Sequence, residues 1–241
     1  RGGSDERRKF LDLVISQFDK DYLNTLIRYN KASAQRNALL KDDVTEASLY
    51  EIWEEQMALY GLSIYNSRKA FLQEVIPVFQ FYDYISIGSE EVKLEYTSDI
   101  VRGDLSKQLA SVRDRDRILG YTTRGIHRDD LEMRLGEYPM KRIGSQGQNK
   151  TFLVALKLAQ FDFLNKNGTT PILLLDDIFD KLDAHRVERI IKLVSGERFG
   201  QIFITDTNRK YLDEIIKQTG NSYHLYNVDD GNITRSKEDA L

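Results

Sequence analysis

No cysteine occurs among the 241 residues, which excludes a disulfide framework, a thiolate zinc site, an iron–sulfur cluster and a cysteine nucleophile, and suits a reducing cytosol. Histidine is scarce: His127, His185 and His224 are the full set, which argues against a dedicated zinc site. No long apolar run reads as a membrane span, and the opening Arg1-Gly2-Gly3 has neither a Met nor the charged-then-apolar leader of a signal peptide. The chain is therefore expected to be a cytoplasmic piece of a longer protein with no membrane partner. A large excess of one charge is also missing. The net charge of −3 argues against holding nucleic acid by bulk positive charge, but charge is segregated along the chain. Residues 1–41 carry nine basic and five acidic residues, residues 42–60 six acidic and no basic, and residues 102–150 eleven basic and seven acidic. Such blocks are commonly solvated helix faces, and a nucleic-acid face stays open.

Apolar residues at 41% and charged residues at 30% describe an ordinary globular chain, long enough for one large domain or two modest ones. From Ser4, a plausible N-cap, to about Leu40, apolar residues Phe10, Leu11, Val14, Ile15, Phe18, Tyr22, Leu26 and Ile27 recur at helical steps. A second run, Leu49, Ile52, Trp53, Met57, Tyr60, Ile64, Phe71, Leu72 and Val75, extends until Pro77 bends or ends it. A short connection over 41–44 predicts an antiparallel hairpin, read slightly more as a projecting arm than as core helices. Beyond it the pattern predicts a strand at 92–96, a helix at 106–119 and a β-hairpin over 131–143. Helix, strand, helix, strand, helix and strand then follow at 146–164, 172–175, 184–194, 201–205, 209–217 and 223–228. This alternation predicts an α/β fold with a largely parallel sheet and a boundary near Gly120, giving a helical lobe over 1–119 and an α/β part over 120–241.

Three stretches carry candidate chemistry. In Gly144-Ser145-Gln146-Gly147-Gln148-Asn149-Lys150, Ser145 and Gln148 stand in capping-box relation at the start of a long helix, and Gly147 would let an anion approach the free N–H groups. Read alone, it is a helix cap first and a phosphate contact second. The strand Ile172-Leu173-Leu174-Leu175 ends in Asp176-Asp177, two carboxylates at the carboxyl end of a parallel strand. One could hold Mg²⁺ while its neighbour orients or deprotonates water, or one could simply cap the next turn. Asp180-Lys181-Leu182-Asp183 opens the following helix, where Asp183 is as easily a cap as a functional group.

In order and spacing these pieces resemble the C-terminal half of an ATP-binding-cassette ATPase: Ser145-Gln146-Gly147-Gln148 resembles the signature motif, Leu173 to Asp177 the Walker B strand, and Lys181-Leu182-Asp183 the D-loop. The finer resemblance is to the RecF family, the recombination and repair members of the SMC-like branch. It rests also on Gly125-Ile126-His127-Arg128-Asp129-Asp130-Leu131, on Val154 to Gln160, on Leu175 to Asp183, on Arg7 to Asp12 and on Gln35 to Lys41. The resemblance implies an ATPase head with a long-helix lobe, whose two copies sandwich ATP and Mg²⁺, close on DNA as an ATP-dependent homodimer, and work with RecR and RecO to load recombinase at single-strand gaps. It implies Asp176 as the Mg²⁺ ligand, Asp177 as the base, residues 145–148 as nucleotide contacts made across the dimer, and Asp183 in the D-loop. Weighed separately, His127 and Arg128 could contact nucleotide or the dimer interface, although a lone His at a strand start is more often a structural hydrogen-bond partner.

Three departures stand out. Asp177 replaces the glutamate of transporter-type cassettes, implying a slow catalyst, and Thr205-Asp206-Thr207 stands where they have a switch histidine. No G-x-x-x-x-G-K-[ST] occurs, so the phosphate-cradling loop is expected upstream of Arg1, and this chain alone is expected to be inactive. The rival readings are a non-catalytic docking module, which the missing loop favours, and another SMC-like nuclease or a transporter ATPase.

Overall fold

Buried positions along the longest helix alternate in steps of four and three. A computed structural model of the chain describes residues 3–87, 92–177, 182–207 and 209–236. Its first three helices are α1 (Ser4–Phe18), α2 (Lys20–Lys41) and α3 (Ala47–Ile87). Tyr50, Glu54, Met57, Gly61, Ile64, Arg68, Phe71 and Val75 of α3 are all buried, which is the 3-4 spacing of a coiled-coil seam. On α2, Tyr22 meets Arg68 at 3.1 Å, the Tyr29 ring lies 3.4 Å from where a Cβ at Gly61 would sit, and Arg36 meets Glu54 at 3.1 Å. Each step of seven up α2 is a step of seven down α3, so the hairpin is antiparallel, as expected.

Local departures from the expected pattern have local causes. The single helix expected from Ser4 breaks because Asp19 is extended (φ −117°, ψ 98°) and its carboxylate accepts the Tyr22 N–H at 2.8 Å. Gly3 occupies the first cap position, not Ser4, and makes no side-chain bond. Pro77 lies inside α3 without ending it. Pro77 and Gln73, whose carbonyl loses its donor, are both exposed, so water can take the bond's place. Phe18, Ile27, Leu49 and Ile52 are exposed despite their helical spacing.

The chain forms two compact units, Arg1–Gln80 with Glu91–Ile143, and Phe81–Glu90 with Gly144–Leu241. The boundary expected near Gly120 thus falls inside the first unit. Its remaining elements are β1 (Val92–Thr97), α4 (Leu105–Ser111), α5 (Arg113–Leu119), β2 (Asp130–Leu135), β3 (Tyr138–Pro139) and α6 (Met140–Ile143). Val112 divides the helix expected over 106–119, and the hairpin's return strand gives way to α6 after two residues. β1 pairs antiparallel with β2 from Val92↔Leu135 to Thr97↔Asp130, and β2 pairs with β3. The helical hairpin is part of this unit's core rather than a projecting arm. Arg36 of α2 donates to Asp116 of α5 at 2.7 Å and to the Leu109 carbonyl of α4 at 3.1 Å.

The second unit contains α7 (Gln146–Lys166), β4 (Leu173–Leu175), α8 (Ala184–Val194), β5 (Ile202–Ile204), α9 (Arg209–Lys217), β6 (Tyr226–Asp229) and β7 (Asn232–Arg235). β4 and β5 are parallel, from Leu173↔Ile202 to Leu175↔Ile204. Among the described residues this is the parallel pairing; the other two sheets are antiparallel, so the expected largely parallel sheet is reduced to one pair. The last expected strand is half of a β6–β7 hairpin, turning at Asp230-Gly231, both with positive φ. Phe152, Ala155, Leu158 and Ala159 of α7 and Val187, Ile190, Ile191 and Val194 of α8 are buried. Among the described residues no helix is long and apolar enough to cross a membrane.

Candidate nucleotide and metal site

In the second unit, three apolar residues carry β4 to its carboxyl end, where Asp176 and Asp177 emerge exposed. Asp177 takes a left-handed conformation (φ 49°), which aspartate tolerates better than most residues. The neighbouring strand supplies the support: the Thr205 N–H donates to the Leu175 carbonyl at 2.9 Å, and the Thr205 hydroxyl accepts the Asp177 N–H at 3.1 Å and donates to the Asp176 carboxylate. From the first turns of α7, Lys150 Nζ donates to the Asp177 carbonyl at 2.6 Å.

The α7 start is the expected capping box. Ser145 Oγ accepts the Gln148 N–H at 3.1 Å, and Gln148 Oε1 accepts the Ser145 N–H at 2.7 Å. Because the cap uses Ser145 oxygen as an acceptor, the hydroxyl proton stays available, and among the described residues the N–H groups of Gln146 and Gly147 have no protein acceptor. Those donors sit at the positive end of a 21-residue helix, which fits a phosphate. Asp183 caps α8, accepting the Arg186 N–H at 2.9 Å. Residues 178–181, including Asp180 and Lys181 of the D-loop stretch, lie outside the described residues. No group of three or more His, Cys, Asp or Glu gathers to hold a metal among the described residues. A single oriented carboxylate, Asp176, suits Mg²⁺, which keeps waters and substrate phosphates as its other ligands.

His127 and Arg128 belong to the first unit, on a single 3-10 turn, Ile126–Arg128, between Gly125 and Asp129. His127 Nε2 faces the Thr122 carbonyl at 3.1 Å, so it carries the proton, and Nδ1 accepts from the Tyr29 hydroxyl at 2.9 Å. Burial pushes the imidazole below its usual pKa, reinforced by the positive charges of Arg128 and Arg8, so the ring is neutral. Gly125 has φ 122°, and a Cβ there would lie 2.3 Å from the Tyr29 oxygen. The turn is clamped from below by buried Arg68, which donates to the Ile126 carbonyl at 3.1 Å and to Asp129 at 2.9 Å, and by Arg8, which donates to the Asp129 carbonyl at 2.6 Å. The Arg128 side chain is exposed, with no protein partner among the described residues.

Sequence reasoning missed Arg36 and Arg68, which hold this unit together, although both fall on helix faces reserved for apolar residues, and Glu54 does the same. It assigned no role to Lys150. The basic excess over 1–41 and 102–150 is partly consumed internally, since Arg7, Arg36, Arg113, Arg124 and Arg134 are ion-paired.

No family model matches the chain. Individual relatives do. It is 60% identical over 240 residues to the DNA replication and repair protein RecF of Parabacteroides distasonis, an alignment covering 99% of this chain and 66% of that relative. The chain belongs to the RecF family. The protein of the same name from Phocaeicola vulgatus is 58% identical over 243 residues, covering 99% of this chain and 66% of that one. The chain thus spans just under two thirds of the length of these RecF relatives. Among solved structures, the recombination mediator protein RecF-ATPrS of the RecFOR pathway matches with a TM-score of 0.77 and 28% identity, covering 98% of this chain and 64% of the other. RecF-ATP of the same pathway gives 0.78 and 27% over the same shares. The Smc head domain of Pyrococcus furiosus shares the RecF fold at a TM-score of 0.52 and 16% identity, over 98% of this chain and 58% of that one. The expected fold, part of an SMC-like ATPase head with long helices, is the observed one.

Proposed function

We propose that the chain is the signature and Walker B portion of a RecF-type ATPase acting in DNA replication and repair, whose phosphate-cradling loop lies outside this sequence. The observation that carries the reading is the meeting, in one unit, of the capped α7 start with the Asp176-Asp177 end of β4 through Lys150. In this reading Ser145 and the N–H groups of Gln146 and Gly147 donate to the γ-phosphate of nucleotide held by a second copy, and Gln148 keeps that helix start in shape. Asp176 holds Mg²⁺, which supplies charge neutralisation on the phosphates when bound. Asp177 accepts a proton from the attacking water. Asp183, the last residue of the D-loop, fixes the start of α8, and His127 holds the turn that presents Arg128 to nucleotide or partner. The whole protein would then be a slow DNA-dependent ATPase that dimerises on ATP, binds DNA at gaps or junctions, and works with RecR and RecO to load recombinase. The family naming and the ATP-containing RecF neighbours support this over a docking module.

The test is Ser145→Arg in the full-length polypeptide, followed by light scattering with a non-hydrolysable ATP analogue. ATP bound to the same subunit's own loop should survive, while ATP-driven dimerisation is lost. A normal dimer would reduce the motif to a helix cap.

A further inference from the structure

The motif reading leaves Thr205 without a task, standing where a transporter ATPase would place its switch histidine. We propose that Thr205 is a positioning residue for the Asp176-Asp177 pair and not a phosphate sensor; this rests on the Walker B reading above. A threonine hydroxyl has one proton to give and two lone pairs to offer. Here the proton goes to the Asp176 carboxylate and one lone pair accepts the Asp177 N–H. A sensor needs a free donor, and this hydroxyl has none left. The geometry is also preset. The Thr205 N–H bond to the Leu175 carbonyl locks its backbone into the β4–β5 ladder, and branching at Cβ restricts its rotamers.

Two side chains therefore hold the backbone on either side of the Asp177 Cα, Thr205 at the N–H and Lys150 at the carbonyl. Of the two adjacent carboxylates at this strand end, that of Asp176 is held by the Thr205 hydroxyl, and that of Asp177 is carried on a left-handed backbone (φ 49°) held on both sides. Hydrogen-bonded partners of a metal-binding carboxylate set its orientation, and their loss typically lowers metal affinity ~10- to 100-fold. Thr205 is exposed at the end of β5, and valine keeps both its shape and its ladder bond, so Thr205→Val removes the hydroxyl without threatening the fold.

The experiment measures Mn²⁺ binding to the ATP-bound full-length protein by electron paramagnetic resonance, and ATP and ADP affinity in EDTA, for Thr205→Val, Thr205→Ser and Asp176→Asn. Thr205→Val should weaken Mn²⁺ binding ~10-fold or more and leave both metal-free nucleotide affinities unchanged, while Thr205→Ser restores the parent behaviour. Parent-like Mn²⁺ binding by Thr205→Val overturns the proposal. So does a metal-free loss of ATP affinity without loss of ADP affinity, which is the mark of a sensor. If Asp176→Asn itself leaves Mn²⁺ binding intact, the Walker B reading fails, independently of Thr205.

Discussion

Replacing Arg68 by Met tests the device that shapes the His127–Arg128 turn. The Arg68 side chain is 1% exposed and Asp129 is 0% exposed, whereas Asp12 is 22% exposed. The substitution removes bonds of 2.9 Å to Asp129, 2.8 Å to Asp12 and 3.1 Å to the Ile126 carbonyl. Asp12 can turn to water and keeps the Tyr22 hydroxyl. Asp129 cannot; it retains the Tyr96 hydroxyl on Oδ2 and loses its counter-charge, with Oδ1 already buried without a partner among the described residues. Breaking a buried pair on one side costs ~3–5 kcal/mol, because the surviving charge is stranded. Removing that charge as well, in Arg68→Met with Asp129→Asn, should recover part of the loss, since the amide oxygen of the new side chain can still accept from Tyr96. Urea unfolding read through the single tryptophan, Trp53 of α3, reports on this unit. The sign of the pH dependence follows from Asp129, whose carboxyl burial already pushes above the usual range. Without Arg68 the shift grows, so the protonated form favours the folded state below the unfolded pKa of ~3.9. That advantage is lost as pH rises through the folded value, so the defect should be larger at pH 7 than near pH 4. A loss below ~1 kcal/mol at pH 7, within reach of an exposed pair, or a double variant no more stable than the single, would refute the reasoning.

Three further outcomes are expected. His127 is neutral and its pKa is lowered by burial, so its contribution is present above ~6.5 and is lost as pH falls through the folded value; His127→Asn should flatten the unfolding free energy between pH 8 and pH 5. Gly125→Ala must adopt φ 122° and displace Tyr29; a cost of ~1–3 kcal/mol should appear as a lower urea midpoint, with Tyr29→Phe relieving the clash only in part. In the full-length protein Asp177→Asn should leave ATP binding intact and slow hydrolysis ~100-fold or more, measured as phosphate release, whereas the present chain by itself should show no micromolar Mg-ATP binding in calorimetry.

Interactions closing within about one helical turn were legible in the residues themselves. The capping box at Ser145 and Gln148, the Asp183 cap, the bounds of α8 and α9 and the apolar run ending in Asp176-Asp177 follow from side chains competing for nearby backbone groups and from periodic burial. The motif order then led to the family. Tertiary structure decided what depends on partners distant in sequence. Glu54, Gly61 and Arg68 interrupt an apolar seam, and only the antiparallel register, placing Arg36, Tyr29 and Tyr22 opposite them, turns those interruptions into buried pairs. Arg68 meets Asp129 across 61 positions, Arg36 meets Asp116 across 80, and Thr205 meets Asp177 across 28. Burial makes such bonds strong and their absence expensive, yet nothing local to either partner specifies the other, so the unit boundary, the clamped His127–Arg128 turn and the hold of Thr205 on the paired aspartates emerged only when the chain was folded.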